Sequence, residues 1–160
     1  MKKSLSIYLA FTLLIALGSF FWGKAYGEKS QQEILRSKVV SWEEAGSNTG
    51  DWGEMRYFFE GDSFGAEKVL AAFAVIKPHQ SLHPAHRHEE EEFLVLTEGS
   101  GMWHLNGKEF PAKKGDVLYV EPWAMHGLVN NSGEPLTFFV ARWKSKGVAS
   151  PPEPAGPHGQ

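Results

Sequence analysis

The sequence predicts an all-β domain, either a sandwich or a small closed barrel. Two observations carry that expectation. Short runs rich in β-branched and aromatic residues recur between residues 39 and 143, separated by Gly-, Asn- and Asp-containing turns at the spacing of an antiparallel fold. Asn106 and Gly107 sit between two of these runs, the strongest local hairpin signal, because a tight hairpin turn needs residues that tolerate positive φ. The chain has 160 residues, 42% of them hydrophobic, enough to bury the core of one compact domain. No internal repeat and no second domain is visible.

The first segment lies outside this fold. Lys2 and Lys3 precede an apolar run over residues 5–22, and Ala25 and Gly27 place small residues where a signal peptidase reads. This is the pattern of a secretory signal peptide cleaved after Gly27. A retained membrane anchor over residues 5–22 is the alternative, because about 18–20 apolar residues cross a bilayer. Cleavage removes three lysines and no acidic residue, which moves the net charge from −3 to −6. The protein is therefore expected to be exported, periplasmic or secreted, and acidic.

Residues 28–38 read as a polar linker, residues 39–148 as the barrel and residues 149–160 as a disordered Pro- and Gly-rich tail. Within the barrel, residues 39–42 (VVSW) read as a first strand and residues 46–53 as an exposed loop rich in Gly, Asn and Ser. Residues 55–60 form a strand ended by Gly61. Residues 69–77 (VLAAFAVIK) are apolar on both faces and, stopped by Pro78, make a buried strand. Residues 92–98 form a strand closed by Gly99, and residues 102–110 the hairpin. Residues 117–120 and 127–129 are short strands between turns, and residues 136–143 (LTFFVARW) are the last.

Charge and composition exclude several functions. No block of Lys and Arg occurs, so a nucleic-acid surface is not expected. The absence of cysteine rules out disulfides, thiolate ligands and a Cys nucleophile. Histidines remain as the strong nitrogen ligands.

They concentrate in residues 83–99, HPAHRHEEEEFLVLTEG. On an extended strand alternate residues share a face, so His86, His88, Glu90, Glu92, Leu94 and Leu96 would point one way. Glu92 then lies in phase with both histidines, next to the apolar wall. His126, after Glu121, Pro122 and Trp123, is the candidate fourth ligand. Imidazole nitrogens with one carboxylate suit a divalent transition metal rather than calcium. The plainer reading is a solvated acidic face, and it is preferred for Glu89 and Glu91. A helix pairing His86 with Glu90 and His88 with Glu92 is disfavoured by the β-rich FLVLT and by Gly99.

This stretch resembles the first motif of the cupin superfamily: His86, Arg87 and His88, three residues, Glu92, six residues, Gly99. Residues 115–126 (GDVLYVEPWAMH) resemble the second, with Asn130 where that motif carries its asparagine. The fifteen residues between Gly99 and Gly115 match the inter-motif hairpin of compact cupins. Two positions depart from the pattern: Trp123 stands where the second motif has glycine, and Gln80 where the first opens with one. The resemblance implies a double-stranded β-helix (jelly-roll) barrel, often a homodimer. It implies one divalent metal (Fe, Mn, Ni or Zn) inside, on His86, His88, Glu92 and His126. It implies no single activity, because the fold hosts dioxygenases, decarboxylases, isomerases, lyases and non-catalytic binders. The expected partner is a small-molecule substrate or ligand, turned over by a metalloenzyme or held by a sugar- or ligand-binding module.

Other residues give weaker signals. His83 is either an outer partner of the metal ligands or a loop residue before Pro84. His104, beside the hairpin, reads as exposed. Tyr119 and Arg142 can reach a pocket from their strands, with packing and a surface charge as the plainer readings. Trp103, Trp123, Phe138 and Trp143 can line an aromatic cavity or simply fill the core.

Overall fold

The computed structural model describes residues 34–156. The expected signal segment or anchor, and most of the expected linker, lie outside the described residues. Nine strands and no helix occur among the described residues: β1 Gly46–Gly50, β2 Gly53–Gly61, β3 Ala66–Ile76, β4 Glu91–Glu98, β5 Ser100–Leu105, β6 Lys108–Lys113, β7 Val117–Val120, β8 His126–Val129 and β9 Leu136–Ser145. They form two antiparallel sheets, ordered β1-β2-β3-β9-β4-β7 and β6-β5-β8. This is the double-stranded β-helix barrel that the motifs imply.

The barrel closes because the apolar periods of neighbouring strands coincide. Alternate residues bury Leu70, Ala72, Ala74 and Ile76 on β3, Leu94 and Leu96 on β4, and Leu136, Phe138 and Val140 on β9. β9 lies between β3 and β4 in a register that sets Ile76 opposite Leu136 and Leu94 opposite Val140, so the three inward rows meet. Trp103, Ala112 and Leu128 from the smaller sheet complete the core. The outer face of β3 is packed too. Phe73 lies against Phe139, Phe58 and Trp42, with ring centroids 5.0, 5.7 and 5.9 Å away. That accounts for the two-faced apolar pattern of this strand.

Two expectations fail at the start of the barrel. Residues 39–42 are not a strand. Glu44 accepts a hydrogen bond from the Ser41 N–H (2.9 Å) while the Ser41 hydroxyl accepts one from the Glu44 N–H (3.3 Å), a reciprocal cap that turns the chain and lays Trp42 on Phe58. The loop expected over residues 46–53 is instead β1 and a tight turn. β1 pairs with β2 from Gly46 opposite Tyr57 to Gly50 opposite Gly53. Every β1 residue is exposed, so main-chain bonds to one neighbour hold this edge strand and its composition carries no trace of it.

Candidate metal centre

The two motifs meet through their backbones. The His86 N–H donates to the His126 carbonyl (2.9 Å) and the His126 N–H to the His86 carbonyl (2.8 Å). The Trp123 N–H donates to the His88 carbonyl at 2.7 Å. The segment entering β8 is thus laced to residues 86–88, and β4 presents Glu92 beside them. The expected uninterrupted strand through His86 and Glu92 is not what forms: the chain bends at Glu89 and Glu90, and β4 begins only at Glu91. The Glu90 carbonyl lies 3.1 Å from Nδ1 of His88, a local bond that competes with continued pairing. The strand phase holds from Glu90 onward, where Glu90, Glu92, Leu94 and Leu96 are all buried.

The ring nitrogens of His86, His88 and His126 that could serve as ligands lie within 4.8 Å of one another. Glu92 approaches two of the three, with Oε1 3.4 Å from Nε2 of His126 and Oε2 3.5 Å from Nε2 of His88. Two donors about 2.1 Å from one metal stand about 3.0 Å apart at a right angle and about 3.4 Å apart at the tetrahedral angle. The carboxylate contacts fall at that spacing.

The polar accounting agrees. Nδ1 of His126 and of His88 sit 2.9 and 3.1 Å from the Ala124 and Glu90 carbonyls, so each Nδ1 carries the proton and each Nε2 is left with a lone pair. Those Nε2 atoms, with Nδ1 of His86, are buried without a hydrogen-bond partner. Orphaned polar atoms of this kind are costly unless something coordinates them.

Electrostatics prepare the same state. Burial, reinforced by His83, His126 and His88, pushes His86 down to about 3, so it stays neutral at ordinary pH. Burial alone would raise Glu92, but hydrogen bonds and positive charge from His126 and His88, present only when their Nε2 atoms carry a proton in place of a metal, outweigh that and hold the carboxyl at about 2. Neutral imidazole and ionised carboxylate are the forms a cation needs.

The neighbouring glutamates have further partners, although Oε2 of Glu90 also lies 3.4 Å from Nδ1 of His88. Glu89 binds Lys68 and Lys144, Glu90 binds Lys68, and Glu91 accepts from the Tyr119 hydroxyl at 2.9 Å. They hold the bend and the outer surface.

A cavity of about 70 Å³ opens beside His86, Glu92 and His126, walled by Met55, Leu70, Leu94 and Phe138, and Arg142 lines it as well. Of the four aromatics expected there, only Phe138 is found in the wall. Trp103 is in the core, and Trp143 stacks on Phe93 on the outer face at 5.6 Å. Tyr119 is 46% exposed and bonded to Glu91, so it serves the surface. His83 lies edge-on to His86, centroids 4.2 Å apart, and His104 approaches Glu109 at 3.5 Å. Arg142 lines the cavity, which is the pocket reading of this residue and not the plainer surface charge. The available signal was its phase with the buried Leu136, Phe138 and Val140 on β9.

Residues 72–142 match the family model described as the cupin domain. The chain contains a cupin domain. It is 29% identical over 110 residues to an oxalate-binding protein of Thermotoga maritima, a match covering 67% of this chain and 90% of that protein. It is 28% identical over 81 residues to a gentisate 1,2-dioxygenase of a Streptomyces species, where the match covers 50% of this chain but only 22% of the relative. Among solved structures, a predicted oxalate decarboxylase from Thermotoga maritima aligns with a TM-score of 0.56 at 23% identity, covering 67% of this chain and 99% of that one. An RmlC-like cupin from Shewanella frigidimarina aligns with a TM-score of 0.56 at 17% identity, covering 73% and 96%. At these identities the structural matches show the fold.

This cupin's departure at Trp123 has a visible use. Trp123 sits at φ 68°, the left-handed region that glycine favours, and its indole N–H donates to the Pro151 carbonyl at 2.8 Å. Arg87, between two candidate ligands, donates to the Pro154 and Gly156 carbonyls at 2.9 and 2.6 Å. Residues 151–156, expected as part of a disordered tail, have no regular secondary structure and are tied down at these points. Truncation after Ala149 is expected to destabilise the barrel by about 1–3 kcal/mol, since the Arg87 side chain, 8% exposed, loses its acceptors. A urea melt of the truncated chain checks this, and an unchanged midpoint would show that the strap is not load-sharing.

Proposed function

We propose that this cupin holds one divalent transition metal on His86, His88, Glu92 and His126 and acts as a metalloenzyme on a small organic acid. One observation carries the reading: a cluster of three imidazoles, each with a buried ring nitrogen that has no hydrogen-bond partner, two of them facing the Glu92 carboxylate beside an apolar cavity. Three imidazoles and a carboxylate suit Fe, Mn, Ni or Zn. Such an ion supplies Lewis acidity, or redox chemistry where it is iron or manganese, for dioxygenase, decarboxylase, isomerase or lyase reactions. The chain's own residues supply the rest. The Glu90 and Ala124 carbonyls fix two imidazole tautomers, Glu92 provides the balancing charge, and the apolar wall limits water. The oxalate and gentisate in the names of the relatives are small carboxylic acids, which supports this substrate class.

A second reading is a binding module that holds the acid without turnover. It is favoured by the cavity wall, where His83, exposed, is the one ionisable side chain besides Arg142 and the candidate ligands among the described residues. Incubating metal-loaded protein with oxalate and with gentisate separates the two. Product formation abolished by chelation and restored by one metal is expected for the enzyme. Tight binding without product would replace the enzyme with the module, and neither binding nor turnover would contradict both.

Export belongs to the same proposal, supported by the leader-like residues 1–27. Mass spectrometry of the protein recovered from outside the cytoplasm should find a chain beginning at Glu28; an intact Met1 would reject cleavage. A homodimer is supported by the exposed Phe93 and Tyr119 on the outer sheet face, and sedimentation measures it.

A further inference from the structure

We propose that Arg142 is the anion-anchoring residue of the cavity and that the ligand is a short dicarboxylate. This deepens, and rests on, the metal-site reading above.

Arg142 lies on β9 directly opposite Glu92 on β4 and Leu70 on β3, on the row that carries Phe138 and Val140 inward. Cross-strand neighbours of this kind place their Cβ atoms about 4.5–5.5 Å apart. A carboxylate is therefore within reach of the guanidinium, yet no ion pair forms between them. Glu92 turns its two oxygens to His126 and His88 instead.

Three arginines have a buried Nε without a hydrogen-bond partner: Arg56, Arg87 and Arg142. The first two place their terminal nitrogens on acceptors. Arg56 binds Glu54 at 2.8 Å and the Trp42 carbonyl at 2.9 Å. Arg87 binds the strap carbonyls and approaches Glu153 at 3.6 Å. Arg142 has no acceptor and no ion pair among the described residues, and it lines the cavity. A partly desolvated guanidinium without a counter-charge is unfavourable, and its fork of donors matches a carboxylate.

Charge and size specify the occupant further. A divalent ion on three neutral imidazoles and Glu92 leaves one net positive charge, and Arg142 adds a second. The cavity, about 70 Å³, is small and suits a compact ligand. A short dianion, with one carboxylate toward the candidate metal ligands and the other on Arg142, balances both charges and fits that space.

Calorimetric titration of the zinc-loaded full chain with oxalate, and with its neutral diamide oxamide, tests the assignment; metal content is measured in the same samples. Wild type should bind oxalate and not oxamide. Arg142→Met should keep its metal and lose oxalate affinity by about 10- to 100-fold, with Arg142→Lys restoring at most part of it. Wild-type oxalate affinity in Arg142→Met, equal binding of oxamide, or no oxalate binding by wild type would each overturn the proposal. If Arg142→Met does not fold, Arg142→Lys and the oxalate–oxamide comparison on wild type decide it. Failure of wild type to take up metal would instead defeat the metal-site reading. The same titration on metal-free protein then judges Arg142 by itself, supporting it if oxalate binding is lost in the variant and overturning it if wild type does not bind.

Discussion

His126→Ala is expected to abolish stoichiometric metal binding while leaving the barrel folded. The imidazole is 2% exposed, its Nδ1–H is committed to the Ala124 carbonyl, and its Nε2 stands 3.4 Å from Glu92. Removing it deletes one of the four proposed donors, and no other histidine among the described residues is placed to replace it. His83 meets His86 edge-on, and its own Nδ1 lies 3.0 Å from the Pro84 carbonyl. Loss of an outer partner of a ligand typically weakens metal binding by about 10- to 100-fold, so loss of a ligand should exceed that. The fold should survive because His86 and His126 are joined through main-chain bonds that alanine retains. Elemental analysis with circular dichroism checks both halves. Metal retained at the wild-type ratio in a folded variant would remove His126 from the site.

Asn130→Ala should cause the largest loss of stability of any single change considered, on the order of 3–5 kcal/mol. Asn130 is fully buried, and its amide nitrogen reaches the carbonyls of Ile76, Lys77 and Glu134 at 3.0, 3.1 and 2.8 Å. Its Oδ1 accepts from the Ser132 N–H at 3.0 Å and the Ser132 hydroxyl at 2.8 Å. One side chain therefore ties the end of β3 to the turn between β8 and β9. Alanine leaves several of these groups without partners where water has little access. Asn130→Asp should be at least as damaging, because it sets a carboxylate against three carbonyl oxygens. Urea denaturation gives the answer, and a midpoint near wild type in either variant would show that the turn holds without this residue.

Much of this was legible along the chain because it is local. β2 to β9 follow from alternation and turn residues, and Asn106 and Gly107, both at positive φ, form the expected hairpin turn. The candidate ligands were legible as two motifs, but not the means of their meeting. The reciprocal bonds between His86 and His126 join residues forty positions apart, and no local pattern encodes them. Alternation set Glu92 on the inward face, where it is buried, but the bend at Glu89 and Glu90 was not legible as such, since a run of glutamates does not reveal which members bind lysines. β1 escaped because an exposed edge strand needs no apolar residues. Arg142 stayed open between pocket and surface because alternation reports the face a residue occupies, whereas a charge on that face suggested the surface.

The most direct test of the metal site is elemental analysis of the purified wild-type protein, as isolated and after reconstitution, with Glu92→Ala alongside. About one equivalent of Fe, Mn, Ni or Zn in wild type, lost in the variant, is the expected result. A wild-type protein that holds no transition metal as isolated and takes none up on reconstitution would contradict it.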